Sequence, residues 1–232
     1  MDIKEEGLVD LQYSWYYQSK IIAILRLLSS NVEKGVLVDI GAGSGFFGLE
    51  ISKKFHFSQT ILIDPGYADS KKISSKKIQY YKSCPHIPAS TYLFIDVLEH
   101  IDFDSEFLSH YASESHPGAK FVISVPAFDF LWSSHDEFLQ HKRRYSKKGL
   151  IQLAISSGIE IEDSYYIFSA VFPIAFLKRR ILSRKMQNKS DLRDYRPLIN
   201  YILKKICVFE HKYIKNPWFG TSVVLMGTKS NH

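Results

Sequence analysis

The segment Asp39-Ile40-Gly41-Ala42-Gly43-Ser44-Gly45 sets one acid two residues ahead of three alternating glycines. Glycines at that spacing let a backbone approach a ligand closely and leave the N–H groups of a following helix pointing at it. Two ligand chemistries compete for such a loop. Gly43-Ser44-Gly45-Phe46-Phe47-Gly48 satisfies G-x-G-x-x-G, and Asp64 follows at about the 20-residue offset of a dinucleotide site. Asp39 argues for a different ligand. An acid at the strand tip repels a pyrophosphate but attracts the sulfonium and α-ammonium groups of S-adenosylmethionine (SAM). The expectation is therefore a SAM site on Asp39, Gly41, Gly43 and Gly45, with Asp64 accepting from the ribose hydroxyls.

Further along stand groups able to move a proton or hold an acceptor. Glu99 and His100 follow an apolar run, and a histidine titrates near neutrality, which suits His100 to general-base work or to a contact beside the cofactor. His135, Asp136 and His141 form a second group. Their spacing matches no standard metal site, so no metal is expected. An Asp136-oriented His135 acting as base, or acceptor recognition, is the preferred reading. His141, Arg143, Arg144 and Tyr145 are candidates for contact with an anionic acceptor; a solvated basic face is the alternative for the cations.

The elements that must position these residues read as strands alternating with helices. Val36-Leu37-Val38, Thr60 to Ile63, Tyr92 to Ile95 and Phe121 to Val125 are short apolar runs bounded by turn residues, as expected of strands buried on both faces. A weaker strand covers 78 to 82, a sixth 160 to 167 and a seventh 221 to 226. Helical periodicity occupies 11 to 31, 46 to 55, 104 to 116 and 146 to 157. That order predicts an α/β, Rossmann-like, doubly wound sheet. Ligands of such sheets sit beyond the carboxyl ends of the strands, which puts Glu99, His100 and the 126 to 145 loop at the mouth of the site.

The Asp-x-Gly-x-Gly-x-Gly loop, with Asp64 at the next strand tip, resembles that of the class I SAM-dependent methyltransferases, over residues 12 to 168 and 221 to 229. Trp15-Tyr16-Tyr17, Asp96-Val97-Leu98-Glu99-His100-Ile101, Leu131 to Asp136 and His141 to Tyr145 are similar to one bacterial branch, the ubiquinone-biosynthesis-type enzymes. The resemblance implies a seven-stranded sheet with an antiparallel last strand, Asp96 on the cofactor side and Tyr17 on the acceptor side. It implies small hydrophobic, lipid-linked or sugar-linked acceptors. The acid that usually meets adenine at the third strand tip is missing; Lys82-Ser83-Cys84 stands there.

Between strands six and seven lies a connection of about 50 residues, far longer than the two to six usual in such sheets. It predicts a helical insertion, 169 to 219, beside a main domain of 1 to 168 and 220 to 232. Phe172 to Leu177 runs into Lys178-Arg179-Arg180 and on to Arg184-Lys185, apolar residues beside cations, as in a helix lying at an anionic membrane surface or in a substrate lid. The formal charge of +6 points to anionic partners in general. With no nucleic-acid motif and aliphatics between the cations, nucleic acid ranks below lipid. Cys84 and Cys207 have no paired spacing, which excludes a disulfide framework and suits a cytoplasmic protein, peripheral at most. The oligomeric state is not legible.

Overall fold

The computed structural model describes residues 10–28, 35–68, 77–83, 88–182 and 196–230. Its seven strands are β1 (Val36–Ile40), β2 (Gln59–Ile63), β3 (Ile78–Tyr81), β4 (Thr91–Ile95), β5 (Lys120–Pro126), β6 (Ile159–Ile167) and β7 (Ser222–Lys229). Its helices are α1 (Trp15–Leu27), α2 (Phe46–Phe55), α3 (Asp104–Glu114), α4 (Ser134–Leu139), α5 (Lys147–Ser156), α6 (Phe172–Leu182) and α7 (Pro197–Tyr213). The strands form one sheet in the order β3-β2-β1-β4-β5-β7-β6, with β7 antiparallel to both neighbours. This is the expected Rossmann-like sheet with a helical insertion between its last two strands.

Strand residues are apolar on both faces because helices cover both. Val38, Ile40, Tyr92, Phe94, Phe121 and Ile123 pack toward α3 and α5 in one core. Their alternates Leu37, Leu93, Ile95 and Val122 pack with α1, α2 and α7 in the other. The pleat sends successive side chains to opposite faces, so strands lying between two cores carry apolar residues on both.

Two differences from the expected elements matter for the site. The loop after β5 contains α4, closed at its start by a capping box in which the Ser133 and Asp136 side chains satisfy each other's backbone N–H groups. The insertion is also tied to the main sheet. Buried Glu210 on α7 accepts from Ser169 N (2.7 Å) and Ala170 N (2.8 Å), ahead of α6. Neighbouring His211 accepts from Phe168 N (3.1 Å) and donates to Ser19 O on α1 (2.8 Å). With both nitrogens so committed and the ring buried, burial first of all holds the His211 pKa below its ordinary value.

Candidate active site

β1 and β4 are neighbours although they are not consecutive, so the sheet changes winding direction between them, and a crevice opens beyond their carboxyl ends. Three acids stand along this edge on three adjacent strands: Asp64 just after β2, Asp39 within β1 and Asp96 just after β4.

The glycine loop is shaped by left-handed backbone at Gly41 (φ 65°), Gly43 (φ 53°) and Gly45 (φ 79°). A Cβ at Gly41 would lie 2.7 Å from Val97 Cγ2, and one at Gly48 would lie 2.8 Å from Asp39 Oδ2. Asp39 is held beneath the loop, 2% exposed, accepting from Gly48 N at 3.0 Å. Burial pushes its carboxyl up to about 7. Asp64 accepts from Gly43 N and Gly66 N, one oxygen to each, both at 2.8 Å. Each oxygen keeps a second lone pair for a ribose hydroxyl. An acidic edge beside a loop that only glycine can form fits a cationic nucleoside ligand. At the third strand tip Lys82 and Ser83 are described, and Cys84 lies outside the described residues.

Asp96 takes a left-handed conformation (φ 55°), which turns its carboxylate from the strand toward α1. There it meets Lys20, whose ammonium bonds both Asp96 oxygens and the Tyr16 hydroxyl (2.9 Å). Burial alone would raise the Asp96 carboxyl; the Lys20 charge and hydrogen bonds outweigh it and hold the pKa below its ordinary value. Sequence reasoning passed over Lys20. Its signal was a lysine within the apolar stripe Tyr13, Tyr17, Ile24, Leu27 of a helix, a position where a charge has to find a partner.

Beyond Asp96 lies a cavity of about 390 Å³. Asp96, Glu99, His100, His135, His141 and Arg144 line one side, and Tyr16 and Tyr17 contribute from α1. Val171, Ile174, Ala175, Ile199 and Leu203 from the insertion line the other, together with Lys178 and Arg179. The His100 and His141 rings meet edge to face at 4.7 Å, and His135 stands 6.4 Å from His141. A backbone bond from Lys142 N to Glu99 O (2.7 Å) clamps the 140 to 145 segment onto the turn after β4, which is how His100 and His141, distant in sequence, come together.

Asp136 is fully buried and serves His141 and Arg144. His141 Nδ1 lies 2.9 Å from Asp136 Oδ1, and the Arg144 guanidinium makes a two-pronged contact at 2.8 and 2.9 Å. Burial opposes ionisation of Asp136, yet His141 and Arg144 hold its pKa well below the carboxylate range. Arg143 and Tyr145 are placed elsewhere. Arg143 pairs with Asp104 (3.0 Å), and the Tyr145 hydroxyl donates to Asp104 (2.7 Å). Both lie in a separate depression beside Phe128 and Phe130, apart from the cavity.

Glu99 is the most exceptional of these groups. It is 0% exposed, and neither carboxylate oxygen has a hydrogen-bond partner. Burial, with the Asp96 charge beside it, pushes its pKa up to about 8.

Solved structures share this architecture. A SAM-dependent methyltransferase from Archaeoglobus fulgidus is 19% identical, with a TM-score of 0.54 over 91% of this chain and 94% of its own. A SAM-dependent methyltransferase from Thermotoga maritima is 14% identical, with a TM-score of 0.53 over 93% of each chain. At these identities the likeness is one of fold. None of the curated proteins matches the sequence. A family model described as a methyltransferase domain matches residues 14–163, more than half of the protein and the whole stretch that carries the glycine loop, Lys20, Asp96 and the histidine cluster. The chain belongs to the methyltransferase-domain family.

Proposed function

We propose that this methyltransferase, whose cofactor is SAM, methylates a small hydrophobic, lipid-linked or sugar-linked acceptor at a membrane surface. SAM supplies an activated methyl group, so the protein's work is to align the acceptor, exclude water and accept a proton where the nucleophile carries one. In this reading Asp39, Gly41, Gly43, Gly45, Asp64 and Asp96 form the donor side. His100 and His135 are the imidazoles that face the acceptor volume, with Asp136 a positioning residue acting through His141 and Arg144.

The observation that carries the reading is a cavity lined by polar groups of the sheet edge and by aliphatic residues of α6 and α7, with Lys178 and Arg179 of α6 beside them. The same two helices expose apolar side chains outward. On α7, Leu198, Tyr201, Ile202, Phe209 and Tyr213 recur at helical spacing on one face, with Lys205 and Lys212 among them. Trp218 follows at 77% exposed, and Ile174 and Leu177 extend the patch from α6. Apolar surface flanked by lysines is the composition of a helix resting in a lipid interface. The cations at 184 and 185 lie outside the described residues, as does the side chain of Arg180. Among the described residues no helix is long and apolar enough to cross a membrane.

The test is transfer of labelled methyl from SAM to a total lipid extract. Label in a discrete lipid fraction supports the reading; label only in water-soluble acceptors removes the lipid part of it.

A further inference from the structure

We propose that Glu99, His100 and His141 form a binding site for a divalent transition-metal ion at the floor of the cavity. One ligand atom from each lies within 4.8 Å of those of the other two. Two imidazole nitrogens and one carboxylate oxygen are a donor set suited to zinc, iron(II) or cobalt(II), in contrast to the all-oxygen shells of magnesium and calcium. Zinc distances of about 2.0–2.2 Å set tetrahedral ligand atoms roughly 3.4 Å apart, so the three groups would draw together by up to about 1.4 Å.

Three independent features point to an ion. The first is Glu99. A fully buried carboxylate with both oxygens unpartnered is costly in a folded protein unless something compensates it. Neither Lys20 nor Arg144 bonds it: Lys20 bonds Asp96 and Arg144 bonds Asp136. The second is the orientation of His141. An ionised carboxylate only accepts, so the 2.9 Å contact with Asp136 puts the proton on Nδ1 and leaves the Nε2 lone pair for a ligand. A carboxylate behind a histidine in this way is the usual outer support of a metal-bound imidazole. The third is the clamp from Lys142 N to Glu99 O, which fixes the backbones carrying two of the ligands against each other. The spacing of His135, Asp136 and His141 matches no metal site; the set assembled by the fold replaces two of those three with Glu99 and His100.

Three protein ligands leave a fourth tetrahedral position, and these ligands line the acceptor cavity. An oxygen of the acceptor is the group that would fill it, a role that rests on the methyltransferase reading above. His135 lines the same cavity and is not one of the three proposed ligands.

The experiment uses chelator-stripped full-length protein titrated with cobalt(II), read by its visible absorption, and then with zinc in competition. The wild type should take up one equivalent with a four-coordinate spectrum, and zinc should raise Tm. Glu99→Gln and His100→Ala should each weaken uptake by at least about tenfold, and Asp136→Asn by about tenfold through His141. His110→Ala, an exposed control, should change nothing. Thermal melts of the stripped variants verify that they fold. Absence of stoichiometric uptake by the wild type, or unchanged uptake by folded Glu99→Gln and His100→Ala, would overturn the proposal. SAM affinity on the same samples reads the donor site separately, so intact SAM binding without cobalt uptake rejects the ion alone.

Discussion

The ammonium of Lys20 on α1 bonds both carboxylate oxygens of Asp96, the residue that follows β4. The lysine is 0% exposed, so this pair joins the leading helix to the middle of the sheet edge where the cofactor and acceptor sides meet. Breaking a buried pair from one side strands the other charge, at about 3–5 kcal/mol. Asp96 is partly exposed, which places the effect at the lower end. Lys20→Met should lower the unfolding free energy by about 3 kcal/mol, and Lys20→Met with Asp96→Asn should recover part of it. Urea denaturation of the four proteins in the cycle measures this; simple additivity would show that the two groups are not coupled.

Gly41 sits at φ 65° with Val97 against the space where a Cβ would be. Gly41→Ala should cost about 1–2 kcal/mol from backbone strain alone and should weaken SAM binding more than it weakens the fold. Comparison of Tm with calorimetric affinity separates the two effects. An unchanged affinity would remove the loop from the cofactor site.

Asp39 gives the protein a pH dependence of definite sign. Its folded carboxyl titrates at about 7 against an ordinary 3.8, so the folded state keeps a proton that the unfolded chain has lost. The stabilising contribution is complete below 3.8 and is lost as pH rises through about 7. Asp39→Asn, which can still accept from Gly48 N, should flatten that decline in stability between pH 4 and 7. A cationic ligand beside Asp39 lowers its pKa, so SAM binding near neutrality should release protons, measurable by calorimetry in buffers of different ionisation enthalpy. Proton uptake would contradict this account of Asp39.

Recognition of the sheet and the loop from sequence succeeded for local reasons. Asp39 and the glycines after it adjoin one apolar run, and both strand burial and turn chemistry act within a few residues. The ends of α5 followed from residues such as Ser146, which caps it by accepting from Gly149 N at 3.0 Å, whereas α1 runs only Trp15–Leu27 within the expected 11 to 31. What stayed hidden was set by long-range packing. Asp136 was paired with its neighbour His135, and nothing local showed that the turn after α4 swings His141 and Arg144 onto it. Arg143 alternates with Arg144 along the chain and so faces Asp104, away from the cavity. The Ser133-x-x-Asp136 capping box was a visible signal for α4 that the sequence reading did not use. Glu99 shows no sign in sequence that its carboxylate would be buried without a partner.

The exposed face of α7 predicts a definite response to lipid. Lys205→Glu with Lys212→Glu should reduce recovery on anionic vesicles, at about 1 kcal/mol per lysine near the surface, and should do little with neutral ones. Phe209→Ser and Trp218→Ser should reduce recovery on both kinds. Co-sedimentation that is indifferent to all four changes would reassign α6 and α7 to a lid whose outer face meets only water.

The account depends above all on the ligand of the loop that Asp39 supports. Calorimetric titration of the full-length protein with SAM, S-adenosylhomocysteine and NAD tests it most directly. The predicted result is one equivalent each of SAM and S-adenosylhomocysteine bound at the same site, with no heat from NAD. Binding of NAD without SAM would contradict it.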